Sequence, residues 1–159
     1  MLYFAYGSNM CSKRLKKRVP SMVTVTIAAL PGHQLAFNKV GSDGSAKCNL
    51  ASSEDFITYG VIFQIDDIQK STLDRIEGKG YKNVRIDVET HAGVFDVFTY
   101  RAKESYIDDT LSPYNWYKSL VVAGAKEHDL PAHYIKSIQE INSIPDTETK
   151  RAQAHLQLL

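Results

Sequence analysis

The carboxylate of Glu77 occupies a position at which it could serve in acid–base catalysis. Glu77 follows the apolar Ile76 and precedes Gly78, at the end of a helix that the sequence predicts from Asp66-Asp67 onward. The negative end of the helix dipole disfavours a carboxylate there unless something compensates. A carboxyl that changes its protonation state readily is what general acid–base catalysis requires. Glu77 is therefore a candidate for proton transfer, although an exposed helix-end glutamate is the commoner case.

A second candidate is the turn that follows the first predicted strand. The apolar run Leu2–Tyr6 stops at Gly7-Ser8-Asn9, and a glycine at a strand end lets the backbone approach a ligand closely. Successive amides of these three residues could converge on an anion, and the side chains of Ser8 and Asn9 add donors. A plain strand-to-helix turn with Ser8 and Asn9 as caps is favoured by physics alone.

A third candidate is a basic cluster on the next predicted helix, formed by Lys13, Arg14, Lys16, Lys17 and Arg18. Such a cluster could contact phosphates. A solvated helix face is the favoured interpretation, because no aromatic residues are interleaved for stacking on bases and the whole chain carries a net charge of only +1. We therefore expect neither a nucleic acid nor a membrane as partner.

Other chemistries find little support. Gly78-Lys79-Gly80 fails as a dinucleotide fingerprint, because it follows a helix and the third glycine position holds Asn83. The five histidines show no metal-ligand spacing, and Cys11 and Cys48 form no Cys-x-x-Cys pair. A hydrolase motif of the Gly-x-Ser-x-Gly type is absent. We expect no metal and no organic cofactor.

The composition describes an ordinary globular protein of 159 residues, with 43% hydrophobic and 23% charged residues. No apolar run approaches the ~20 residues that span a bilayer, and the first residues do not resemble a secretory leader, so a cytoplasmic location is expected. The nine tyrosines suit a half-polar cavity and strand surfaces equally. We expect one domain over residues 1–145 and a polar, helical tail over residues 146–159.

The elements that must position these residues are short strands and a few helices. Pro31-Gly32 predicts a turn that divides one β-branched segment from the next, and Ile68, Leu73 and Ile76 are spaced for one buried stripe on the helix before Glu77. Seven short strands with few crossover helices predict an α+β protein built on a closed or strongly curled, mostly antiparallel β-barrel with peripheral helices. The predicted strands cover residues 2–6, 22–30, 33–40, 48–51, 58–65, 81–89 and 94–100.

Three segments together resemble the γ-glutamylcyclotransferase family. Tyr3-Phe4-Ala5-Tyr6-Gly7-Ser8-Asn9-Met10 is similar to the family's first signature. Leu73-Asp74-Arg75-Ile76-Glu77-Gly78 is similar to its helix-end motif, in which the glutamate before glycine is catalytic. Tyr117, Gly124-Ala125-Lys126-Glu127 and Leu130-Pro131 resemble a third block, and the three blocks follow the family's order over residues 3–131. The resemblance implies a small barrel with helices around a cavity, which agrees with the strand pattern.

The resemblance also implies a reaction, in which the α-amine of a γ-glutamyl compound attacks its own γ-carbonyl and releases 5-oxoproline and an amine. Glu77 would be the general base and then the general acid, and the amides of Gly7–Asn9 would stabilise the oxyanion. Hydroxyls of Tyr3, Tyr6 and Tyr117 would meet the substrate carboxylate. The full set of substrate-binding residues implied is Tyr3, Phe4, Ala5, Tyr6, Gly7, Ser8, Asn9 and Tyr117.

Two alternatives stay open at this point. A non-catalytic module could keep the same cavity for a small carboxylate ligand, although such a binder has no need of Glu77. A nucleic-acid protein could use the basic helix at residues 13–18. Asn9 is similar to the relatives that act on γ-glutamyl amino acids, whereas relatives that act on glutathione carry Leu at that place. The expected partner is a small γ-glutamyl molecule, and a homodimer is left open.

Overall fold

The computed structural model describes all 159 residues, and its five strands close into a barrel. The strand order is β1-β3-β2-β4-β5, and β1 closes the barrel against β5. This last pair is parallel, and the other pairs are antiparallel. The predicted mostly antiparallel barrel with peripheral helices is therefore confirmed. The strands are β1 (Leu2–Ala5), β2 (Val23–Val40), β3 (Ala46–Gln64), β4 (Tyr81–Thr90) and β5 (Gly93–Ala102).

The prediction of seven short strands is wrong, because two strands are much longer than expected. β2 runs for 18 residues straight through Pro31-Gly32, and β3 runs for 19 residues. The ladder between them shifts register between Pro31 and His33, and Gly32 has a φ of +71°. This irregularity leaves residues 53–56 of β3 without a partner in β2, and it accommodates the lack of an amide hydrogen on Pro31 without ending the strand. The two strands form one long hairpin over residues 23–64.

Five helices and two short 3₁₀ turns, Ser8–Met10 and Glu104–Tyr106, surround the barrel. The predicted buried stripe before Glu77 is wrong, because only Leu73 is buried, whereas Ile68 is 85% exposed and Ile76 is also exposed. This helix thus rests on the barrel through one apolar residue. The helices are α1 (Ser12–Arg18), α2 (Asp67–Glu77), α3 (Asn115–Glu127), α4 (Ala132–Gln139) and α5 (Thr149–Leu156).

The barrel interior is filled by apolar side chains. Phe4, Ile62 and Phe63 have no solvent exposure. Gly60 is required beside them, because a β-carbon at that position would lie 2.7 Å from the Phe4 ring and 2.4 Å from the Ala5 carbonyl oxygen. A filled interior leaves no room for a substrate along the barrel axis. Polar side chains gather instead where β1 ends.

The chain after residue 145 packs against α1 and α3. Leu158 is buried, and its carbonyl oxygen lies 3.7 Å from the Cys11 sulfur. Asp146 accepts hydrogen bonds from Arg151 and, at 2.8 Å, from the indole of Trp116. These bonds, the one from Arg151 first, lower the pKa of the Asp146 carboxyl. The terminal helix α5 is thus tied to the body at both ends.

His155 of α5 stacks on Trp116, with 3.8 Å between the ring centroids. Burial and the neighbouring cations Arg14, Arg18 and Lys47 lower the pKa of His155 to about 4, although Asp43 opposes the shift. Because an unfolded histidine titrates near pH 6.5, the unfolded chain binds a proton between pH 6.5 and 4 that the folded chain does not. The free energy of unfolding therefore falls as the pH is lowered through this window.

Acidification from pH 6.5 to 4 is accordingly expected to loosen α5 before the barrel unfolds. Trp116 is the only tryptophan and is buried, so its fluorescence emission should shift to longer wavelength in this window. His155→Gln removes the titrating group and should flatten the change. A red shift that persists in His155→Gln with the same midpoint would contradict the assignment.

Candidate active site

Two segments far apart in sequence meet at the end of β1. The Asn9 side-chain amide donates a hydrogen bond to Oε1 of Glu77 at 2.9 Å and another to the Tyr3 hydroxyl at 3.0 Å. Arg18 of α1 joins them: its guanidinium donates to Oδ1 of Asn9 at 2.9 Å and to Oε1 of Glu77 at 3.2 Å. The turn after β1 and the end of α2 therefore form one hydrogen-bonded site.

Glu77 has one oxygen engaged and one free. Both hydrogen bonds that it accepts end on Oε1, and Oε2 has no partner in the protein. The side chain is only 14% exposed. The cation of Arg18 compensates the negative end of the α2 dipole at this position. The carboxyl is thus held in one orientation with Oε2 available to take and return a proton.

The turn beside Glu77 is closed by two backbone hydrogen bonds, and neither uses the amides of Gly7–Asn9. The amide of Met10 donates to the Gly7 carbonyl at 2.9 Å, and that of Cys11 donates to the Ser8 carbonyl at 3.3 Å. The Gly7 amide donates no hydrogen bond within the protein. A β-carbon on Gly7 would lie 3.0 Å from that of Cys48, so glycine fits tightly here. The turn can therefore offer backbone donors to a small anion.

The tyrosine hydroxyls around the site fall into two groups. The hydroxyls of Tyr3 and Tyr117 accept hydrogen bonds, from Asn9 and from the Cys48 amide at 3.0 Å, and donate none within the protein. The hydroxyl of Tyr6 is already used, because it donates to the Tyr100 carbonyl. Only Tyr3 and Tyr117 thus keep a proton to donate to a substrate carboxylate, and the expectation that Tyr6 does so is corrected.

Two further tyrosines complete the wall with their hydroxyls engaged. Tyr81 donates to the Cys48 carbonyl at 2.6 Å, and Tyr100 donates to Asp74 at 2.6 Å. The complete lining consists of Tyr3, Tyr6, Gly7, Ser8, Asn9, Cys48, Glu77, Tyr81, Tyr100 and Tyr117.

Burial sets the protonation state of the other groups in the cavity. It raises the pKa of the Cys48 thiol to about 12, so that the sulfur stays protonated near neutral pH and is a poor nucleophile. Burial also raises the pKa values of the Tyr3 and Tyr117 hydroxyls, which remain neutral donors. Glu77 is the one carboxylate in the lining. Proton transfer in this cavity therefore has a single carboxyl to use.

The cavity itself is small. Its volume is about 30 Å³, so a glutamyl-sized group cannot sit in it entirely. It shares Ser8, Glu77, Tyr81 and Tyr117 with a wider basin of about 730 Å³. A ligand that reaches Glu77 and the turn must therefore extend into that basin.

Most of the residues singled out in the sequence lie together, with two exceptions. Phe4 and Ala5 do not line the cavity, because Phe4 packs in the barrel core and Ala5 packs against Gly60. The sequence pattern also favoured a solvated helix face for Arg18, whereas in the structure Arg18 pairs with Glu77. The spacing of Arg14 and Arg18, four residues apart on one face of α1, was the available signal. Cys48 and Tyr100, which no sequence motif singled out, also line the cavity.

No group of three or more His, Cys, Asp or Glu side chains is arranged to hold a metal ion. None of the five helices has the length and apolar character needed to cross a bilayer.

Comparisons with known proteins agree with one another. A profile of the AIG2-like family matches residues 58–138. The chain is 30% identical over 148 residues to the gamma-glutamylcyclotransferase of Bos taurus, which covers 88% of this chain and 78% of the bovine protein. The human protein of the same name matches at 30% over 147 residues, with the same coverage. A solved structure described as a gamma-glutamyl cyclotransferase shares the fold, with a TM-score of 0.88, 23% identity and coverage of 99% of this chain and 98% of that one.

Proposed function

Because this chain belongs to the γ-glutamylcyclotransferase (AIG2-like) family, we propose that it cyclises γ-glutamyl compounds to 5-oxoproline and releases the attached amine. The observation that carries the proposal is the geometry of Glu77. This carboxyl is anchored through Oε1 by Asn9 and Arg18, and its Oε2 is free beside a turn with an unused amide at Gly7. A base next to an oxyanion site is the arrangement that this reaction needs.

The reaction begins with a proton transfer to Glu77. The substrate α-ammonium gives a proton to Oε2, and the resulting amine attacks the γ-carbonyl carbon of the same molecule. Because nucleophile and electrophile belong to one chain, the site chiefly has to hold the folded conformer. The new C–N bond closes a five-membered ring and leaves a tetrahedral oxyanion.

Collapse of that intermediate uses the same carboxyl in the opposite sense. Glu77 returns its proton to the leaving nitrogen and removes the second proton from the ring nitrogen. The original amide C–N bond breaks as the ring carbonyl re-forms, and the amine takes up that second proton and departs as an ammonium ion. Protons and charges balance within the substrate and Glu77. Amides of the Gly7–Asn9 turn stabilise the oxyanion between the two steps, and one such donor is typically worth about 3 kcal/mol.

The substrate carboxylate is held by neutral donors. The free hydroxyl protons of Tyr3 and Tyr117 suit it, because both phenols are buried and remain uncharged. Hydrogen bonds to a charged acceptor in a buried site are stronger than neutral ones. These two contacts would orient the glutamyl group with its γ-carbonyl towards the turn.

The direct test is incubation of the purified protein with a panel of γ-glutamyl dipeptides and γ-glutamylamines, with 5-oxoproline detected by chromatography. Release of 5-oxoproline together with an equal amount of free amine is the expected result. If no compound is turned over while 5-oxoproline binds measurably, the cavity belongs to a binding module instead.

Asn9→Leu is expected to lower kcat about 10- to 100-fold, because a hydrogen bond to a charged group contributes roughly 1.5–3 kcal/mol. Leucine can neither donate to Glu77 nor accept from Arg18, so the carboxyl loses part of its anchor. The measurement is kcat and KM on a γ-glutamyl dipeptide. Asn83→Leu, at an exposed position of β4, is the matched control and should retain activity. Equal activity of the two variants would contradict an anchoring role for Asn9.

A further inference from the structure

The basin outside Glu77 is strongly cationic. Seven Lys or Arg side chains line it, against two carboxylates, those of Asp43 and Glu77. This asymmetry is local, because the whole chain has 19 basic and 18 acidic residues. A concave surface with one sign of charge concentrates ligands of the opposite sign.

Three of these cations are already neutralised within the protein. Lys47 pairs with Asp43 at 2.7 Å, Arg18 pairs with Glu77, and Arg151 is bonded to Asp146. Their charges are therefore largely committed to holding the basin together. The other four cations, Arg14, Lys39, Arg75 and Lys79, form no salt bridge, and Arg75 and Lys79 among them are exposed to solvent.

Lys39 and Arg14 are buried in the wall of the basin without a carboxylate partner. Each is 7% exposed, and neither takes part in a salt bridge. The Nε of Arg14 has no hydrogen-bond partner, and the guanidinium forms its one side-chain hydrogen bond through Nη1 to Nδ1 of His155, at 3.1 Å. Unpaired buried charges are costly for a folded protein. An anionic ligand in the basin would compensate both.

Neighbouring residues hold the Lys39 side chain in a defined position. Its ammonium lies 4.5 Å from the centre of the Tyr81 ring, and Tyr81 also lines the inner cavity. Gly80 makes room for its stem, because a β-carbon there would lie 2.8 Å from Cε of Lys39. Arg14 belongs to α1 and Lys39 belongs to β2. The two cationic groups are therefore positioned by two different elements.

Arg14 keeps its charge near neutral pH. Burial lowers the pKa of Arg14 to about 10, which still leaves the guanidinium charged. Burial also lowers the pKa of Lys39, whereas the carboxylates of Glu77 and Asp43 oppose the shift. The pKa of about 4 keeps the neighbouring His155 neutral, so its ring nitrogen can accept from Arg14.

We propose that this basin binds the leaving amine and selects amines that carry a second anionic group beyond the α-carboxylate, with Lys39 and Arg14 as the residues that bind it. The inference rests on the proposed cyclotransferase reaction, which directs the leaving group away from the inner cavity. A single α-carboxylate needs one cation, whereas the basin offers two buried uncommitted ones, Lys39 and Arg14, in addition to the exposed Arg75 and Lys79. The substrate class is therefore γ-glutamyl conjugates of acidic amines, of which γ-glutamyl-glutamate is a simple example.

The test compares γ-glutamyl-glutamate with γ-glutamyl-glutamine, which have nearly the same shape and differ in one charge. We expect kcat/KM to be about tenfold or more higher for the acidic dipeptide at low ionic strength, and the ratio to shrink as salt is added. Lys39→Met and Arg14→Met should each bring the ratio towards one. Lys17→Met, at an exposed position of α1 outside the basin, is the control that should keep it.

A second measurement does not depend on turnover or on the variants. Binding of free glutamate and free glutamine to the unmodified protein is followed by titration calorimetry, and stronger binding of glutamate is expected. Turnover of both dipeptides at equal efficiency, with equal binding of the two amino acids, would overturn the selectivity and leave the cyclotransferase proposal intact. If neither dipeptide is turned over, the proposed reaction fails on these substrates, and the binding comparison alone decides whether the basin selects acidic amines.

Discussion

Glu77→Gln should lower kcat/KM for 5-oxoproline release by about 10²- to 10⁴-fold, the range typical for loss of a general acid–base group. An amide cannot accept the proton of the α-ammonium or return it to the leaving nitrogen. Both halves of the reaction therefore lose the same group. The loss should appear mainly in kcat, because the substrate carboxylate is held by Tyr3 and Tyr117 rather than by Glu77.

Glutamine is the informative replacement because it keeps the surroundings of residue 77 in place. Its carbonyl oxygen can still accept hydrogen bonds from Asn9 and from Arg18, as Oε1 of the carboxylate does. The charge pair with Arg18 is lost, but that guanidinium keeps its bond to Asn9 at 2.9 Å. A large loss of activity with an unchanged melting temperature would therefore report on chemistry rather than on folding.

Glu127 offers a matched control for this experiment. It is the last residue of α3, just as Glu77 is the last residue of α2, and its carboxylate accepts from the Ser12 amide at 3.1 Å. Glu127→Gln should leave kcat/KM unchanged. Near-normal turnover in Glu77→Gln would refute the mechanism, since the cavity holds no other carboxylate and the Cys48 thiol stays protonated.

Much of the site could be predicted because its parts are local in sequence. A buried strand that stops at Gly7, and a helix that stops at Gly78 just after Glu77, are visible in the order of residue types. Those signals depend on neighbours within a few positions. They located the turn and the carboxyl, which the fold then brings to 2.9 Å between Asn9 and Glu77.

The partner of the carboxyl could not be predicted in the same way. Arg18 and Glu77 are 59 residues apart, and only the packing of α1 beside α2 joins them. Within the basic cluster, sequence alone treats Lys17 and Arg18 alike, although one is exposed and the other pairs with Glu77. The unpaired state of Arg14 is likewise a property of the assembled basin.

The predicted number of strands was wrong because a local sequence signal, Pro31-Gly32, is compatible with two structures. Pro31-Gly32 is the composition of a turn, yet β2 continues through it, and the extra residues of the irregular ladder, 53–56, lie opposite it in β3. β3 pairs with β2 on both sides of Pro31-Gly32, and this pairing holds the two halves of β2 in one strand. Residues 53–56 have no partner in β2, yet they remain part of the continuous strand β3.

Gly124→Ala is expected to destabilise the protein by roughly 1–3 kcal/mol, as over-packing a close contact does. Within an exposed helix the same change would stabilise by about 1 kcal/mol. Here α3 lies directly on the Ser8–Met10 turn: a β-carbon at residue 124 would be 2.5 Å from the Cys11 nitrogen and 2.6 Å from the β-carbon of Met10. The sign of the effect therefore distinguishes tight packing from helix propensity.

The same substitution should also reduce activity in the protein that remains folded. Relief of the clash requires the backbone of Met10 and Cys11 to move, and this backbone carries the adjacent Asn9 and the oxyanion turn. A displacement of about 1 Å in a catalytic array can cost about 100-fold in rate. Thermal unfolding and kcat/KM are measured together, with Ala123→Gly as the control, which should lower stability by about 1 kcal/mol through helix propensity and leave kcat/KM unchanged. An active and stabilised Gly124→Ala protein would show that the contact between α3 and the turn does not position the site.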